Sequence, residues 1–125
     1  MSEFPYSVPV RRTLTEEERV IVRRLVSTAC PERVAEVDAL EVFAKCGCGK
    51  CPTIMFHGAP EKKKGAERVI ADFQGGDARV GSVGIILWER DGQISELEAW
   101  SMDGAEVSAW PSAASIRPIE ISHAR

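Results

Sequence analysis

The sequence predicts a small α+β domain in which an N-terminal helix packs on an antiparallel sheet of about five strands, arranged as a meander. Three observations support this fold class. Apolar residues recur at helical spacing over residues 15–29, the pattern alternates from residue 37 onward, and Asp91-Gly92 separates two strand-like runs. A single helix covers one face of such a sheet, so the other face is expected to be solvated or to bind a partner.

The predicted helix has recognisable start and end signals. Thr15, followed three positions later by Glu18, fits a capping box in which the two side chains satisfy each other's backbone N–H groups. Pro31 marks the end, because proline disfavours helical backbone in the residue before it. The apolar stripe of the helix consists of Val20, Ile21, Leu25, Val26 and Ala29.

The rest of the chain is predicted to alternate between strands and turns. We expect one domain, 1–125, with an extended arm at 1–12 and a mostly coil tail at 103–125, since 125 residues suffice for one core. Gln74-Gly75-Gly76-Asp77 is predicted as a turn, and residues 59–67, with three lysines at 62–64, as an exposed loop. The predicted strands are 37–45, 53–57, 68–73, 80–89 and 93–102.

The Asp91-Gly92 hairpin assigns residues to two faces. A three-residue loop, Arg90 to Gly92, with a left-handed glycine places Ile85 opposite Leu97 and Val83 opposite Ala99. A two-residue loop would instead set glutamates against core residues, and burying unpaired carboxylates is costly. The predicted outer face therefore carries the even-numbered residues Ile86, Trp88, Ile94, Glu96, Glu98 and Trp100.

Two tryptophans beside two glutamates on that face have two interpretations. One is a solvated face whose tryptophans are partly covered by the tail that contains Trp110. The other is a protein-binding surface, because aromatic anchors in a polar frame are typical of interface hot spots. We predict the second, with the partner-binding residues Trp88, Glu96, Glu98 and Trp100.

Three cysteines lie within six residues, Cys46-Gly47-Cys48-Gly49-Lys50-Cys51. As small apolar residues in a glycine-rich turn they need no metal, and this is our prediction. As zinc ligands they would need a fourth donor. As a redox pair, Cys48 and Cys51 would be expected between a strand and a helix, whereas strands are predicted on both sides. The candidates for the fourth zinc donor are His57, Cys30 and His123.

Composition and motifs exclude several other functions. A net charge of −3 and a pI near 5.4 argue against nucleic-acid binding. No signal-peptide pattern and no long apolar run are present, so we expect a cytoplasmic protein without a membrane partner and with reduced thiols. No nucleophile elbow or phosphate loop occurs, and we predict no catalytic residues and no cofactor.

Three segments together resemble a family of small, uncharacterised bacterial proteins. They are 48–54 (CGKCPTI), 83–87 (VGIIL) and 91–98 (DGQISELE), although Lys50 is an insertion relative to the family's C-x-C-G-C-P-[ST]-I stretch. The family likeness implies no activity. By analogy of size and acidity, the chain also looks like bacterial immunity proteins. We therefore expect a non-catalytic protein that binds a basic toxin, with a zinc or thiol-redox protein as the alternative.

Overall fold

The computed structural model describes residues 7–56 and 67–119, in which helices pack on one seven-stranded antiparallel sheet. The α+β prediction is confirmed, but the prediction of about five strands is wrong. The strands are β1 (Ser7–Thr13), β2 (Glu41–Cys46), β3 (Ile54–Met55), β4 (Glu67–Asp77), β5 (Gly81–Arg90), β6 (Gln93–Ser101) and β7 (Arg117–Pro118). The helices are α1 (Glu16–Ala29) and α2 (Val34–Val37), with 3₁₀ turns at Pro31–Arg33 and Ala113–Ser115.

The strand order is β1-β2-β3-β6-β5-β4-β7, which is not a meander. The short strand β3 pairs with β6, through Ile54 opposite Leu97, and not with the next strand in sequence. The described part of the predicted N-terminal arm is strand β1, which pairs with β2 at the sheet edge. The Arg11 guanidinium stacks 4.4 Å from the centre of the Phe43 ring and helps to fix this pairing.

The helix α1 begins as the capping-box pattern predicts. The Glu18 N–H donates to the Thr15 hydroxyl at 3.1 Å, and the Thr15 N–H donates to the Glu18 carboxylate at 2.8 Å. Arg12 in β1 adds two hydrogen bonds to the same carboxylate. Burial of Glu18 disfavours its charged form, yet the hydrogen bonds from Arg12 and Thr15 outweigh burial and lower the pKa of the carboxyl.

The hydrophobic core lies between α1 and one face of the sheet. Of the predicted stripe, Ile21, Leu25 and Val26 are buried in this core, whereas Val20 and Ala29 are exposed. Trp110 from the C-terminal tail also belongs to this core. The main core residues are Ile21, Val22, Leu25, Val26, Val83, Ile85, Leu87, Leu97, Val107, Trp110 and Ile116.

The β5–β6 hairpin turns at Asp91-Gly92, but through a two-residue turn. Asp91 has φ +54° and Gly92 φ +83°, the left-handed pair that a type I′ turn requires. Arg90 pairs with Gln93, so the predicted three-residue loop is wrong. The backbone twist of a type I′ turn matches the right-handed twist of the two strands, so a two-residue turn joins them without splaying them apart.

A bulge at Ser95 then restores the predicted face assignment. Glu89 pairs with Ile94 and Trp88 with Glu96, which leaves Ser95 as the extra residue. Beyond the bulge, odd-numbered residues face each other, but Ile85 lies opposite Ala99 and not Leu97. The bulge also moves Ile94 into the core, so its prediction on the outer face is wrong.

The segment predicted to turn at Gln74–Asp77 is part of strand β4. A Cβ atom on Gly75 would lie 2.9 Å from Cγ1 of Ile116 and 3.1 Å from Cγ of Pro111. The glycine therefore serves close packing of the C-terminal tail and not a turn. The actual turn follows, where Asp77 accepts hydrogen bonds from the N–H groups of Arg79 and Val80.

The other boundaries differ less from the predictions. Val37 ends α2, and the strand predicted from residue 37 begins at Glu41. Most of the predicted lysine loop lies outside the described residues. Within the described ranges, no helix is long and apolar enough to cross a membrane.

Candidate functional site

Three cysteine side chains converge in the turn between β2 and β3. The Sγ atoms of Cys46, Cys48 and Cys51 all lie within 4.8 Å of one another. Those of Cys48 and Cys51 are 3.4 Å apart. All three residues are half-buried, and all four cysteines of the chain are free thiols. Three soft ligand atoms on one small surface form a donor set suited to a soft or borderline metal ion.

Backbone hydrogen bonds define the shape of this turn. The Cys46 N–H donates to the Thr53 carbonyl at 3.1 Å, and the Gly49 N–H donates to the Cys46 carbonyl at 3.3 Å. Gly49 has φ +75°, a conformation that glycine adopts without strain. The Thr53 hydroxyl, which is buried, accepts the N–H of Ala99 at 3.0 Å and so ties the turn to strand β6.

The sulfur of Cys48 receives two backbone N–H groups. They come from Cys51 at 3.2 Å and from Lys50 at 3.3 Å. These hydrogen bonds favour the thiolate and lower the pKa of Cys48 to about 7. Burial has the opposite effect on Cys46, whose pKa it raises. Cys48 is therefore the first of the two to ionise.

The cysteine turn forms one wall of a shallow groove of about 310 Å³. Cys48 and Cys51 line it on one side, and Trp100 and Val107 line it from β6 and from the segment after β6. An ion pair of 3.3 Å between Lys50 Nζ and Glu106 Oε2 joins two of the lining residues. The cysteine cluster and the exposed end of the outer face thus share one depression, which sequence patterns did not reveal.

The predicted partner-binding residues share the outer face of β5 and β6. Trp88 lies opposite Glu96, and Trp100 lies opposite Gly84. The Trp88 indole N–H donates to Glu98 at 2.8 Å, so this tryptophan is half-buried and already hydrogen-bonded within the chain. Glu96 is buried, with 8% of its surface exposed. Of the four residues, Trp100 is the most available to a partner, with 38% exposed.

Trp100 lies directly over Gly84. A Cβ atom at Gly84 would lie 2.2 Å from both Cε2 and Nε1 of the indole, far inside van der Waals contact. Glycine at this position therefore makes room for the ring. A glycine inside a strand pattern can signal such a close approach, so this feature was open to prediction.

The other predicted zinc donors are not brought to the cysteine cluster. Cys30 ends α1, where its N–H donates to the Val26 carbonyl at 2.8 Å, and it is not part of the group of converging thiols. His57 and His123 lie outside the described residues. Within the described ranges, the three clustered cysteines are the only group of three or more potential metal ligands.

No protein-family model, curated protein or solved structure matches the chain. The expected likeness to a bacterial family therefore stays a prediction.

Proposed function

We propose that the chain is a small metal-binding protein in which Cys46, Cys48 and Cys51 hold a zinc ion as thiolates. One observation supports this proposal above all, the convergence of the three Sγ atoms to within 4.8 Å. This proposal differs from the sequence-based prediction, in which the cysteine turn holds no metal. Zinc is the expected ion because cysteine thiolates bind it well and because protein zinc sites are usually tetrahedral.

The sulfur spacing is close to that of a tetrahedral site. With Zn–S bonds of about 2.3 Å, tetrahedral sulfurs lie roughly 3.8 Å apart. The Cys48 and Cys51 sulfurs, at 3.4 Å, would separate slightly. The largest separation in the cluster is 4.8 Å at most, so closing it to the tetrahedral distance takes no more than about 1 Å. Such shifts are small for a glycine-rich turn.

The hydrogen bonds around the sulfurs also suit metal binding. A site with three thiolates carries excess negative charge, and N–H donors to sulfur offset part of it. Cys48 has two such donors, and the Cys48 N–H itself points to the Cys46 sulfur at 3.5 Å. Three protein ligands leave a fourth position, which water fills in open zinc sites.

Elemental analysis of protein purified under reducing conditions tests the proposal. We expect about one zinc per chain. Cobalt(II) replacing zinc should give the intense sulfur-to-metal absorption of a thiolate site. Cys48→Ser should lose both signals, whereas Cys30→Ser, the matched control outside the cluster, should keep them. Wild-type protein with neither bound zinc nor a cobalt band would refute the proposal.

We propose partner binding by the outer face as a second candidate function, with an immunity-type bacterial protein as the class. The observation that favours it is the exposure of Trp100, whose indole packs against Gly84. Aromatic anchors of this kind dominate interface energies. The net charge of −3 favours a basic partner, such as a toxin that binds nucleic acid.

The product of a neighbouring gene is the partner to test in a binding assay. Trp100→Ala should speed dissociation, with roughly 2 kcal/mol lost at a true hot spot. Val34→Ala is a suitable control, because Val34 is similarly exposed, at 37%, on helix α2. Equal affinities of the two variants and the wild type would exclude this face as the interface.

A further inference from the structure

Cys48 and Cys51 are positioned to bond to each other. Their sulfurs are 3.4 Å apart. A disulfide needs an S–S distance of about 2.05 Å, so the two atoms must approach by roughly 1.4 Å. The residues between them, Gly49 and Lys50, are exposed, and the Gly49 Cβ position has open space around it. The turn can therefore adjust without disturbing the core.

Position relative to the groove separates these two cysteines from the third. Cys48 and Cys51 line the groove beside Trp100, whereas Cys46, at the end of β2, does not. The two N–H groups directed at the Cys48 sulfur stabilise negative charge on it, and a thiolate is the reactive form of cysteine. A solvent-accessible thiolate beside a second thiol is the arrangement found in redox-sensing cysteines.

We propose that Cys48 and Cys51 form a reversible disulfide when the protein meets a peroxide. The Cys48 thiolate attacks one peroxide oxygen, the O–O bond breaks, and the leaving oxygen takes up a proton to form water or an alcohol. The product is a sulfenic acid on Cys48. The Cys51 thiolate then attacks that sulfur and expels hydroxide, which leaves as water with the proton from the Cys51 thiol.

The electron balance closes with the peroxide as oxidant. Two thiols lose two electrons and become one disulfide, while the peroxide gains two electrons and loses its O–O bond. A small dithiol reverses the reaction by thiol–disulfide exchange, and the dithiol itself becomes a disulfide. Bond formation between Cys48 and Cys51 does not depend on metal binding.

The disulfide also has a consequence for the metal site, and this consequence rests on the proposed function. Oxidation removes two of the three thiolate ligands. One remaining thiolate, Cys46, is too few to hold zinc tightly, so peroxide should release the ion. The cluster would then act as a zinc site that opens under oxidising conditions.

The first experiment uses metal-free protein treated with hydrogen peroxide and then alkylated. We expect the wild type to keep two alkylated cysteines, Cys30 and Cys46, and dithiothreitol to restore all four. Trypsin cuts after Lys45 and Lys50, so the disulfide should join peptide 46–50 to peptide 51–62. Both Cys46 and Cys48 lie in the first peptide, so variants must identify the partner of Cys51.

The variants distinguish the two possible pairings. Cys46→Ser should still link the two peptides, and Cys51→Ser should leave a sulfenic acid on Cys48 that dimedone traps. Circular dichroism confirms that each variant folds. Loss of the link in Cys46→Ser, or oxidation to sulfinic acid with no disulfide in the wild type, would overturn the proposal.

A second experiment separates this proposal from the proposed function. Zinc-loaded wild type should release its zinc on peroxide treatment, as a chromogenic chelator reports, and rebind it after reduction. Cys46→Ser should fail to bind zinc tightly yet still form the disulfide. A wild type that forms the disulfide but never binds zinc would refute only the metal function. Zinc binding with no disulfide in metal-free protein would refute only the redox proposal.

Discussion

Replacing Gly84 by alanine tests whether the Trp100 indole is seated on the sheet as the structure shows. The new Cβ would lie 2.2 Å from Cε2 and Nε1 and 2.7 Å from Cζ2 of the ring. Carbon atoms in good contact are about 3.5–4.0 Å apart, so the indole must retreat by roughly 1.3 Å or more. Trp100 is 38% exposed, so the ring can move outward, but it loses its contact with the strand.

The expected free-energy change is the difference of two effects. Overpacking of this kind costs about 1–3 kcal/mol. Alanine in place of glycine inside a strand recovers about 0.5–1 kcal/mol. We therefore expect Gly84→Ala to lower the free energy of unfolding by roughly 1 kcal/mol. In a Trp100→Ala background the clash disappears, and the same substitution should be neutral or stabilising.

Urea unfolding measures the free energy of unfolding of the four proteins: the wild type, the two single variants and the double variant. Far-UV circular dichroism is the probe, because Trp100→Ala changes the tryptophan fluorescence. The coupling energy between the two positions should be about 1–2 kcal/mol. Gly75→Ala is the matched control, because its Cβ would meet Ile116 and not Trp100, and its cost should be equal in both backgrounds. If Gly84→Ala costs the same with and without the indole, the ring does not rest on the glycine.

Three further substitutions test other parts of the fold by the same unfolding measurement. Glu89→Gln should cost about 1.5–3 kcal/mol at neutral pH, because it weakens charged hydrogen bonds from Arg68 and Arg33. These bonds, that from Arg68 first, lower the pKa of Glu89 below its usual 4.5. Its stabilising contribution is present above that value and is lost as the pH falls through the lower folded pKa, so Glu89→Gln should flatten the acid side of the stability curve. Thr15→Ala should cost about 1 kcal/mol by removing the cap of α1, and an unchanged midpoint would contradict the capping box. Gly92→Ala should cost about 1–2 kcal/mol, because its φ of +83° is unfavourable for a residue with a Cβ.

Local signals allowed correct predictions where the structure depends on neighbouring residues alone. The capping box at Thr15 and the Asp91-Gly92 turn are read from a few adjacent positions, and both are present. The odd and even faces of the hairpin were also assigned correctly except at Ile94, which lies between the turn and the bulge. The register was wrong because a two-residue turn followed by a bulge at Ser95 gives the same alternation as a three-residue loop.

Contacts between distant parts of the chain explain the predictions that failed. The segment 74–77 has the composition of a turn, but it lies in strand β4. Its glycine at position 75 allows Pro111 and Ile116 of the C-terminal tail to approach the strand closely. Likewise, the spacing of three cysteines in sequence does not say whether their side chains converge. Their convergence depends on the pairing of β2 with β3 and on the Thr53 bond to β6, which both require the folded sheet.

The cysteine turn contributes no residue to the core. From residue 46 to residue 52 it contains three cysteines, two glycines, a lysine and a proline, and none of these residues is buried. The strand that follows, β3, has only two residues. Segments with few buried apolar groups open at low free energy, and a cross-link stabilises them most. A zinc ion or a disulfide would supply that cross-link, and either would set the position of one wall of the Trp100 groove. The two candidate functions of this surface are therefore physically connected, since the state of the thiols alters the shape presented beside the exposed tryptophan.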